Sequence, residues 1–357
     1  MYERILVTGG AGFVGATLAV AFKSRSPQTD VVAFDNLRRR GSELNLDKLR
    51  EAGVRFVHGD VRSPEDLNSL TKAPDLILEC SAEPSAQAGY GGSPEYLVNT
   101  NLAGCFNCLE LARRAKAAFV FISTSRVYPY RRLNDLPFRE DGTRYSLLPG
   151  QDVAGASESG VAETFPLDGP RSLYGATKLA AELLVTEYGD AYDLRYVIDR
   201  CGLLTGPGQM AKSDQGVMAL WMAAHFFKKD LAYIGFGGTG KQVRDLLHVD
   251  DLFDVLWEQT NNMNRYGSQV FNIGGGAECS LSLLETTALC EEISGNRIHF
   301  DRQPENRPAD VRIYITDHRR YSRLTSWQPR RGTRETLVSI FDWLRAEETS
   351  LRKIFFT

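Results

Sequence analysis

The chain has 357 residues, of which 43% are hydrophobic, and this length predicts one large domain or two closely joined ones. Its formal net charge of −3 at pH 7 argues against nucleic-acid or anionic-membrane partners, which bind strongly basic surfaces. The first residues lack the features of a signal peptide, and no apolar run approaches the roughly 20 residues that span a bilayer. We therefore expect a cytoplasmic protein without a membrane partner.

Strand-like and helical patterns alternate along the first 200 residues. Helical periodicity occupies several of the intervening segments, including 96–116 and 174–189. The predicted strands are 4–8, 31–35, 54–58, 75–80, 118–124 and 195–199. This alternation predicts an α/β fold of the Rossmann type, with a doubly wound parallel sheet that is covered by helices on both faces.

The pattern changes in the rest of the chain. The segment 129–170 is rich in Gly, Pro, Ser and charged residues, which predicts either a long loop beside a ligand site or inserted hairpins. Further helices are predicted at 250–260, 281–294 and 334–346. We predict a dinucleotide-binding domain over 1–200, which includes a helical segment at 170–190. A smaller α/β lobe is predicted over 201–357, and the chain is free to cross between the two.

The six cysteines are scattered and do not form the dense framework of a small disulfide-linked domain. Cys105 and Cys108 form a C-x-x-C motif inside a helical pattern. No second Cys or His pair stands at a metal-binding spacing in the sequence. We interpret the two cysteines as small helix residues that face the core, and we expect no metal site.

A glycine-rich segment, TGGAGFVG (8–15), follows the first predicted strand and opens the first predicted helix. Gly9 permits a tight turn, Gly12 lets the backbone approach a pyrophosphate, and Gly15 lets helix and strand pack closely. The helix N-terminus then offers N–H groups and about half a positive charge to the phosphates. The sequence therefore predicts a dinucleotide-binding site.

Asp35, at the end of the second predicted strand, bears on the choice between NAD and NADP. Its carboxylate is placed to accept both ribose hydroxyls of the adenosine half, and it repels a 2′-phosphate. The arginines at 38–40 would suit such a phosphate, but Asp35 has the greater weight and we predict NAD. After the third predicted strand, Asp60 is a candidate for the adenine amino group, and Val61 is a candidate for packing on the ring.

Tyr174 and Lys178 lie four residues apart in GPRSLYGATKLAAE (169–182), on one face of a predicted helix. Ionising a phenol with a pKa near 10 costs roughly 4 kcal/mol at pH 7. A neighbouring ammonium and an oxidised nicotinamide both stabilise the phenolate. Tyr174 is therefore suited to exchange a proton with a substrate hydroxyl while the nicotinamide exchanges hydride with the same carbon.

A third group should hold the substrate hydroxyl. FISTSRVY (121–128) contains the end of a predicted strand, at the sheet edge where ligands bind in such folds. Its candidates are Ser123, Thr124 and Ser125.

The motifs TGGAGFVG, FDN, HGDV, STSRVY and YGATK occur in an order that resembles the extended short-chain dehydrogenase/reductase family of nucleotide-sugar enzymes. The resemblance covers nearly the whole chain. It implies that Thr124 is the catalytic hydroxyl, that Tyr174 is the base and acid, and that Lys178 is its partner. It also implies that Asn101, in NTNLAG, supports the nicotinamide end of the site.

Within that family the chain resembles the CDP-paratose 2-epimerases, which are also called CDP-tyvelose epimerases. The similar stretches are DNLRRRGSELNL (35–46), KSDQG (212–216), GGTGKQVRDLLHVDDL (237–252), FNIGGG (271–276) and SLSLLE (280–285). Members hold NAD tightly, oxidise C2 of the sugar to a ketone and reduce it on the other face. The resemblance thus implies an NAD-dependent isomerase that acts in deoxysugar biosynthesis. Its substrate would be a deoxyhexose linked to a nucleotide, namely CDP.

The resemblance also implies two sets of binding residues. The cofactor set is Gly9, Gly12, Phe13, Val14, Gly15, Asp35, Asn36, Arg38, Asp60, Val61, Cys80, Ser81, Ala82, Asn101, Ser123, Tyr174, Lys178 and Cys201. The substrate set is Glu83, Ser125, Arg126, Gln209, Lys212, Asp214, Gln215, Arg244 and Arg307. The guanidinium groups in the second set suit a diphosphate, because their forked donors bind two oxygens at once.

Two departures from related sequences affect the expected reaction. The 4,6-dehydratases of this family have Asp-Glu directly after the catalytic Thr, whereas this chain has Ser125 and Arg126, which argues against dehydration. Many relatives read HLAA or HLAG where this chain reads ECSAEPS (79–85), so the sugar pocket near Glu79 and Glu83 is expected to differ.

Other functions remain open on the sequence alone. A UDP-sugar 4-epimerase or a nucleotide-sugar dehydrogenase or reductase would use the same Tyr, Lys and Thr. A protein that senses NAD without catalysis is a third alternative, although it has no need of the base. By analogy with relatives that pair through two long helices, here 96–116 and 174–189, we expect a homodimer.

Overall fold

A computed structural model describes residues 2–212 and 215–355. The strands in these residues are β1 (Arg4–Thr8), β2 (Asp30–Asp35), β3 (Arg55–His58), β4 (Leu76–Glu79), β5 (Ala118–Thr124), β6 (Phe138–Glu140), β7 (Tyr145–Leu147), β8 (Ala156–Ser157), β9 (Gly160–Val161), β10 (Tyr196–Cys201), β11 (Leu203–Thr205), β12 (Leu231–Ile234), β13 (Val243–His248), β14 (Gln269–Ile273), β15 (Ser280–Ser282), β16 (Phe300–Gln303) and β17 (Ile313–Tyr314).

The α-helices are α1 (Phe13–Arg25), α2 (Asn45–Glu51), α3 (Pro64–Asn68), α4 (Glu95–Val98), α5 (Gly104–Ala115), α6 (Tyr130–Asp135), α7 (Leu173–Tyr192), α8 (Val217–Phe227), α9 (Val249–Asn261), α10 (Met263–Tyr266), α11 (Leu283–Ser294), α12 (Arg319–Thr325), α13 (Thr333–Ala346) and α14 (Glu348–Leu351). Single 3₁₀ turns are found at Ser42–Leu44, Ser125–Val127 and Phe236–Gly238. Within the described residues, none of the helices combines the length and the apolar character that crossing a bilayer requires.

The chain forms two compact units. Unit 1 consists of Met1–Thr124, Leu173–Arg200 and Leu252–Phe271. Unit 2 consists of Ser125–Ser172, Cys201–Asp251 and Asn272–Thr357. Because most of α9 and most of β14 belong with the first unit, the chain returns to that unit after residue 251.

Unit 1 is built on a seven-stranded sheet with the strand order β14-β10-β5-β4-β1-β2-β3. The strands from β3 to β5 run parallel, and Ile5 of β1 pairs with Val31 on one side and Leu76 on the other. The prediction of an α/β fold with a parallel sheet is confirmed. Each of the six predicted strands is found within two residues of its predicted ends.

The central strands are buried on both faces, which explains their nearly continuous apolar sequences. Leu6 and its neighbours on one face pack with α5 and α7 in a core that includes Phe119 and Val185. On α1, the Phe22 ring packs against Phe253 of α9, with the ring centroids 5.2 Å apart. The sheet therefore lies between helical layers, as the alternating pattern predicted.

The segment predicted as one helix over 96–116 has three consecutive parts. A π-helical turn, Asn99–Ala103, joins α4 to α5. A π turn inserts one residue into the helical repeat and rotates the side chains that follow, and such turns occur often at functional sites. Here the turn contains Asn101, whose contacts are described below.

Unit 2 has its own sheets and core. Strands β11, β13 and β15 form one sheet, to which β17 adds beside β13, and β12 pairs with β16. Tyr233 and Phe300, from the second pair, stack with their ring centroids 4.6 Å apart. Helices α8, α11 and α13 surround these rings and contribute Trp221 to the same core.

The segment 129–170 contains inserted hairpins, which was one of its two predicted forms. The antiparallel pair β6–β7 has Phe138 opposite Leu147, and β8–β9 has Ala156 opposite Val161. The short helix α6 precedes the first hairpin.

Asp199, in β10, makes the stability of unit 1 depend on pH. It is buried, and Gln259 Nε2 on α9 donates a hydrogen bond to its Oδ1 at 2.8 Å. Burial raises the pKa of the carboxyl from 3.8 to about 7, despite the hydrogen bond from Gln259. Because the folded state binds the proton more tightly, this group favours folding at low pH. That contribution declines as the pH rises from the unfolded pKa through about 7.

Asp199→Asn, which resembles the protonated carboxyl, is therefore expected to raise the thermal midpoint at pH 8 by several degrees and much less at pH 5. Thermal melts of both proteins at the two pH values measure the difference. Asp190→Asn, an exposed position on α7, is the matched control and should change neither midpoint. An equal gain for Asp199→Asn at both pH values would contradict the assignment.

Candidate active site and cofactor site

The glycine-rich turn after β1 is closed too tightly to accept side chains. Gly9 has φ +60°, and a Cβ added there would lie 2.9 Å from the Cys80 carbonyl oxygen. A Cβ on Gly15 would lie 2.1 Å from the Gly9 carbonyl oxygen. The spacing therefore permits a backbone approach that no other residue allows at these two positions.

The N-terminus of α1 is suited to bind phosphate. Gly12 is its N-cap, and among the described residues no side chain caps the helix. The first turn, which begins with Phe13 and Val14, contains no acidic residue. A helix of 13 residues thus presents its positive end, and no acidic side chain of its own first turn offsets it. This region fits the pyrophosphate of a dinucleotide.

Gly15→Ala is expected to weaken NAD binding at least about tenfold, because the new methyl group must displace the Gly9 carbonyl. Titration calorimetry with NAD measures the effect. Gly92→Ala is the control, since a Cβ there would meet nothing within 4 Å. Equal affinities of the two variants would exclude this role for Gly15.

Asp35 lies at the end of β2, beside the same turn. Its carboxylate accepts hydrogen bonds from the backbone N–H of Ala11 at 3.1 Å and of Leu37 at 2.8 Å. Burial raises the pKa of the Asp35 carboxyl, although these backbone donors lower it. The carboxylate is thus fixed next to the glycine turn, which fits its predicted role toward the adenosine ribose.

Asp60 takes part in a polar cluster at the end of β3. Burial alone would raise the pKa of its carboxyl, but hydrogen bonds from Arg62 and Asn36 outweigh this and lower the pKa to about 2. The Tyr96 ring lies next to two guanidinium groups, with its centroid 4.0 Å from Arg38 and 4.8 Å from Arg62. The sequence analysis did not identify Arg62 or Tyr96.

Val61 is buried beside the start of α5. A Cβ on Gly104 would lie 2.7 Å from Val61 Cγ2, so the glycine lets the helix approach this side chain. Asn107 Nδ2 donates to the Val61 carbonyl at 2.9 Å. The predicted contact of Val61 with the adenine ring stays a prediction.

Tyr174 and Lys178 lie one turn apart in the first half of α7. Tyr174 is half-buried, whereas Lys178 is only 2% exposed. The Lys178 ammonium lies 3.9 Å from the centroid of the Phe121 ring and 3.9 Å from Glu79 Oε2. The lysine is therefore held in a buried setting between an aromatic ring and a carboxylate. The sequence analysis had assigned the Glu79 position to the sugar pocket.

Asn101 joins three segments within unit 1. Its Oδ1 accepts from the Glu83 backbone N–H at 2.8 Å, and its Nδ2 donates to the Glu83 carbonyl at 3.1 Å. The same Nδ2 also donates to Thr177 Oγ1 on α7 at 3.2 Å. Asn101 thus fastens the strand end after β4 to the helix that bears Tyr174 and Lys178.

Thr124 is the last residue of β5 and is half-buried. The preceding residue, Ser123, is buried, and its hydroxyl donates to Glu182 Oε1 at 2.5 Å. Arg200 forms an ion pair with Glu182 Oε2 at 2.7 Å. The Ser123 side chain is therefore directed at a buried ion pair of α7 and β10, and its predicted contact with the cofactor stays a prediction.

The remaining predicted cofactor residues Cys80, Ser81, Ala82 and Cys201 lie at the ends of β4 and β10. Ser81 donates a hydrogen bond to Glu79. Cys105 and Cys108, on α5, are buried in the core, and burial raises the pKa of both thiols. Among the described residues, no group of three or more His, Cys, Asp or Glu side chains is arranged to hold a metal ion.

Arg244, in β13, is a cation of unit 2 with a perturbed pKa. It donates to the Val311 carbonyl at 2.5 Å and lies 3.4 Å from Asp310 Oδ1. Burial and the nearby Arg126 guanidinium lower its pKa to about 10. Arg244 and Arg126 place two guanidinium groups near the carboxylates of Asp310 and Asp245, and forked guanidinium donors suit an anionic ligand.

The other predicted substrate residues of unit 2 have mixed surroundings. Arg307 is half-buried, and its carbonyl accepts a hydrogen bond from Asp310 N at 3.2 Å. Gln209 is buried and bonds to Thr205 and to the Leu204 carbonyl. Lys212 and Gln215 exchange two backbone hydrogen bonds, and Asp214 lies outside the described residues. Their roles toward a substrate stay predictions.

Comparison with known proteins places the chain in a family. A profile described as the NAD dependent epimerase/dehydratase family matches residues 5–274. The chain belongs to this family. A CDP-paratose 2-epimerase of Salmonella typhi is 30% identical to the enzyme, and the match covers 95% of this chain and 98% of the relative.

Other members of the family are also similar to the enzyme. A dTDP-glucose 4,6-dehydratase of Mycobacterium tuberculosis is 26% identical, with 98% of this chain and 96% of the relative covered. The solved structure of UDP-glucose 4-epimerase from Thermus thermophilus, a complex with NAD, superposes with a TM-score of 0.75. That match has 24% identity and covers 96% of this chain and 99% of the other.

NAD is the cofactor of the enzyme, in agreement with the prediction from Asp35 and the glycine turn. The residues present fit it, since the turn, the uncapped helix and the carboxylate lie together in unit 1. When bound, NAD accepts a hydride from substrate carbon and returns it.

Proposed function

We propose that this enzyme is an epimerase that inverts C2 of a CDP-linked deoxyhexose. The similarity to CDP-paratose 2-epimerase over 95% of the chain supports this proposal. So do Thr124, Tyr174 and Lys178, to which the sequence resemblance assigns the catalytic roles and which belong to β5 and α7 of unit 1.

The observation that carries the proposal is the sequence that follows Thr124. Ser125 and Arg126 form a 3₁₀ turn there, where the related dehydratases have two carboxylates. Neither a hydroxyl nor a guanidinium replaces a carboxylic acid that must give and take protons during loss of water. The reaction therefore ends at hydride return and does not proceed to dehydration.

In this proposal Tyr174 handles the proton. Its phenolate accepts the proton of the C2 hydroxyl as that carbon becomes a ketone, and the phenol returns the proton when the ketone is reduced on its other face. Lys178 stabilises the phenolate by its charge, and Thr124 holds the sugar oxygen by a hydrogen bond. Protons and electrons balance over the cycle, so no net redox change results.

We assign the diphosphate of the substrate to Arg244, with Arg126 and Arg307 as further candidates. Arg244→Leu is expected to raise the KM for the nucleotide sugar at least about tenfold, with a smaller change in kcat, because charge-assisted hydrogen bonds to phosphate are lost. Steady-state kinetics measure both constants.

Arg345→Leu is the matched control, since this exposed arginine forms an ion pair with nearby Asp342 in α13. It should leave both constants unchanged. An unchanged KM in Arg244→Leu would remove Arg244 from the substrate site.

The test of the function is a panel of CDP-, UDP-, GDP- and dTDP-linked sugars, each incubated with the NAD-loaded enzyme and followed by NMR. Inversion at C2 of a CDP-deoxyhexose supports the proposal. Inversion at C4 of a UDP-sugar would replace it, and net NADH formation would show a dehydrogenase. A stable keto-deoxysugar product would show a dehydratase, and no reaction with any sugar would favour a protein that only senses NAD.

We also propose a homodimer that pairs through α5 and α7. Phe106 on α5 is 43% exposed and Leu183 on α7 is 62% exposed, so both helices have large apolar side chains on the surface of unit 1. The double variant Phe106→Glu/Leu183→Glu is expected to shift the protein from dimer to monomer in light scattering. A monomeric wild-type protein would contradict this.

A further inference from the structure

Glu79 is a buried carboxylate with an unusual position. It ends β4, in the middle of the parallel sheet, and pairs in register with Thr8 of β1 and Phe121 of β5. Only 1% of the surface of Glu79 is exposed to solvent. A carboxylate at such a position costs several kcal/mol unless other groups stabilise its charge, so its partners indicate its role.

The two oxygens of Glu79 have different surroundings. Oε1 accepts a hydrogen bond from Ser81 Oγ. Oε2 is buried and has no hydrogen-bond partner among the described residues, and it lies 3.9 Å from Lys178 Nζ. One oxygen is therefore fixed by a local hydrogen bond, and the other is directed toward the ammonium.

We propose that Glu79 is a positioning residue that holds the Lys178 ammonium in place and partly offsets its charge at Tyr174. The proposal rests on the proposed function only because it takes Tyr174 as the group that exchanges the proton. It also gives a new explanation for Glu79, which stands where many related sequences have the first residue of HLAA or HLAG. In this explanation Glu79 acts on Lys178 of α7 and not on the sugar.

The sign of the effect follows from the charges. The ammonium favours ionisation of the phenol, and a nearby negative charge weakens that effect. Burial raises the pKa of the Glu79 carboxyl, whereas Lys178 and Ser81 lower it. While Glu79 is ionised, Tyr174 therefore experiences less than the full charge of the lysine.

Few other ionisable groups face this carboxylate. The nearby thiols are those of Cys80, Cys105 and Cys108. Burial raises the pKa of each thiol, and the negative charge of Glu79 raises that pKa further. The titratable and polar side chains around Glu79 are Lys178 on α7, Cys105 and Cys108 on α5, Cys80 and Ser81 after β4, and Thr8 on β1. Since the thiols stay neutral, Lys178 is the only opposite charge among these described residues.

The experiment compares wild-type protein with Glu79→Gln, both loaded with NAD. The ultraviolet absorbance of tyrosinate is titrated with pH, and the same titration in a Tyr174→Phe background is subtracted to isolate Tyr174. The phenol is expected to ionise about one pH unit lower in Glu79→Gln, the size of shift that one nearby charge causes. The acid limb of the kcat profile should move in the same direction, and Glu79→Asp should restore most of the wild-type behaviour.

Glu182→Gln is the matched control. Glu182 is also a buried carboxylate in contact with a cation, but it lies two turns from Tyr174 on α7 and is paired with Arg200. It should lower the thermal midpoint and leave the Tyr174 titration unchanged. If Glu79→Gln also lowers only the midpoint, Glu79 is merely structural and the proposal is wrong.

Ser81→Ala provides a second test that does not remove the carboxylate. Loss of its hydrogen bond makes Glu79 harder to ionise, so Tyr174 should ionise at lower pH, by less than in Glu79→Gln. An unchanged titration in both variants overturns the inference. Because the absorbance titration needs no sugar, that failure is distinct from the failure of the sugar panel, which would overturn only the proposed function.

Discussion

Turnover of the nucleotide sugar is expected to fall at least about 1,000-fold when Tyr174 is replaced by Phe, because general acid–base catalysis contributes on this scale. The nearby hydroxyl of Thr177 on α7 does not replace the phenol as a proton carrier, because it donates a hydrogen bond to the Tyr174 carbonyl. The ring itself is retained, and the glycine turn and Asp35 are untouched. NAD binding should therefore stay within a few-fold of wild type.

The measurement is single-turnover NMR of the sugar together with calorimetric titration of NAD. Tyr192→Phe is the matched control, since it removes the same hydroxyl from the exposed end of the same helix. Turnover in Tyr174→Phe that equals the Tyr192→Phe value would remove Tyr174 from the reaction. Loss of NAD binding together with turnover would instead show that its main role is structural.

The tight glycine turn of unit 1 was predictable from the sequence, because the constraints there are local. Position 15 requires glycine because a Cβ there would collide with the carbonyl oxygen of Gly9, which is only six residues earlier in the chain. Six of the seven strands of the sheet were predictable for a similar reason, since burial on both faces produces continuous apolar strands, whereas β14 was not predicted. In both cases a short stretch of sequence contains the whole requirement.

The environment of Lys178 was not predictable in this way. Its carboxylate partner, Glu79, is 99 positions earlier in the chain, and only the pairing of β4 with β5 brings it near α7. The available signal was an acidic residue at the end of an apolar strand. By itself that signal indicates only an altered pocket near the strand end, because sequence does not tell which helix covers it.

The π-helical turn at Asn99–Ala103 shows a second limit. Helical periodicity across 96–116 predicts a helix but does not distinguish an α turn from a π turn, which differ by one residue. The distinction depends on Asn101, whose amide bonds to both Glu83 and Thr177. Tertiary hydrogen bonds therefore accompany the π winding here, and helical periodicity does not contain them.

The buried ion pair of Glu182 and Arg200 should give the largest effect on stability. Both side chains are nearly inaccessible, with 4% and 7% of their surfaces exposed, and their closest approach is 2.7 Å. Ser123 Oγ also donates to Glu182 Oε1, so three elements meet at this carboxylate. Arg200→Met is expected to cost about 3–5 kcal/mol of unfolding free energy, because it leaves a buried charge without its cation.

Denaturant unfolding of the single variants and of Glu182→Gln/Arg200→Met measures that cost. The double variant should recover part of the loss, since it has no unpaired charge in the core. The control is Arg345→Met, which breaks an exposed pair with Asp342 and should change the free energy of unfolding by at most about 1 kcal/mol. If the double variant is no more stable than Arg200→Met alone, the loss comes from packing and not from the isolated carboxylate.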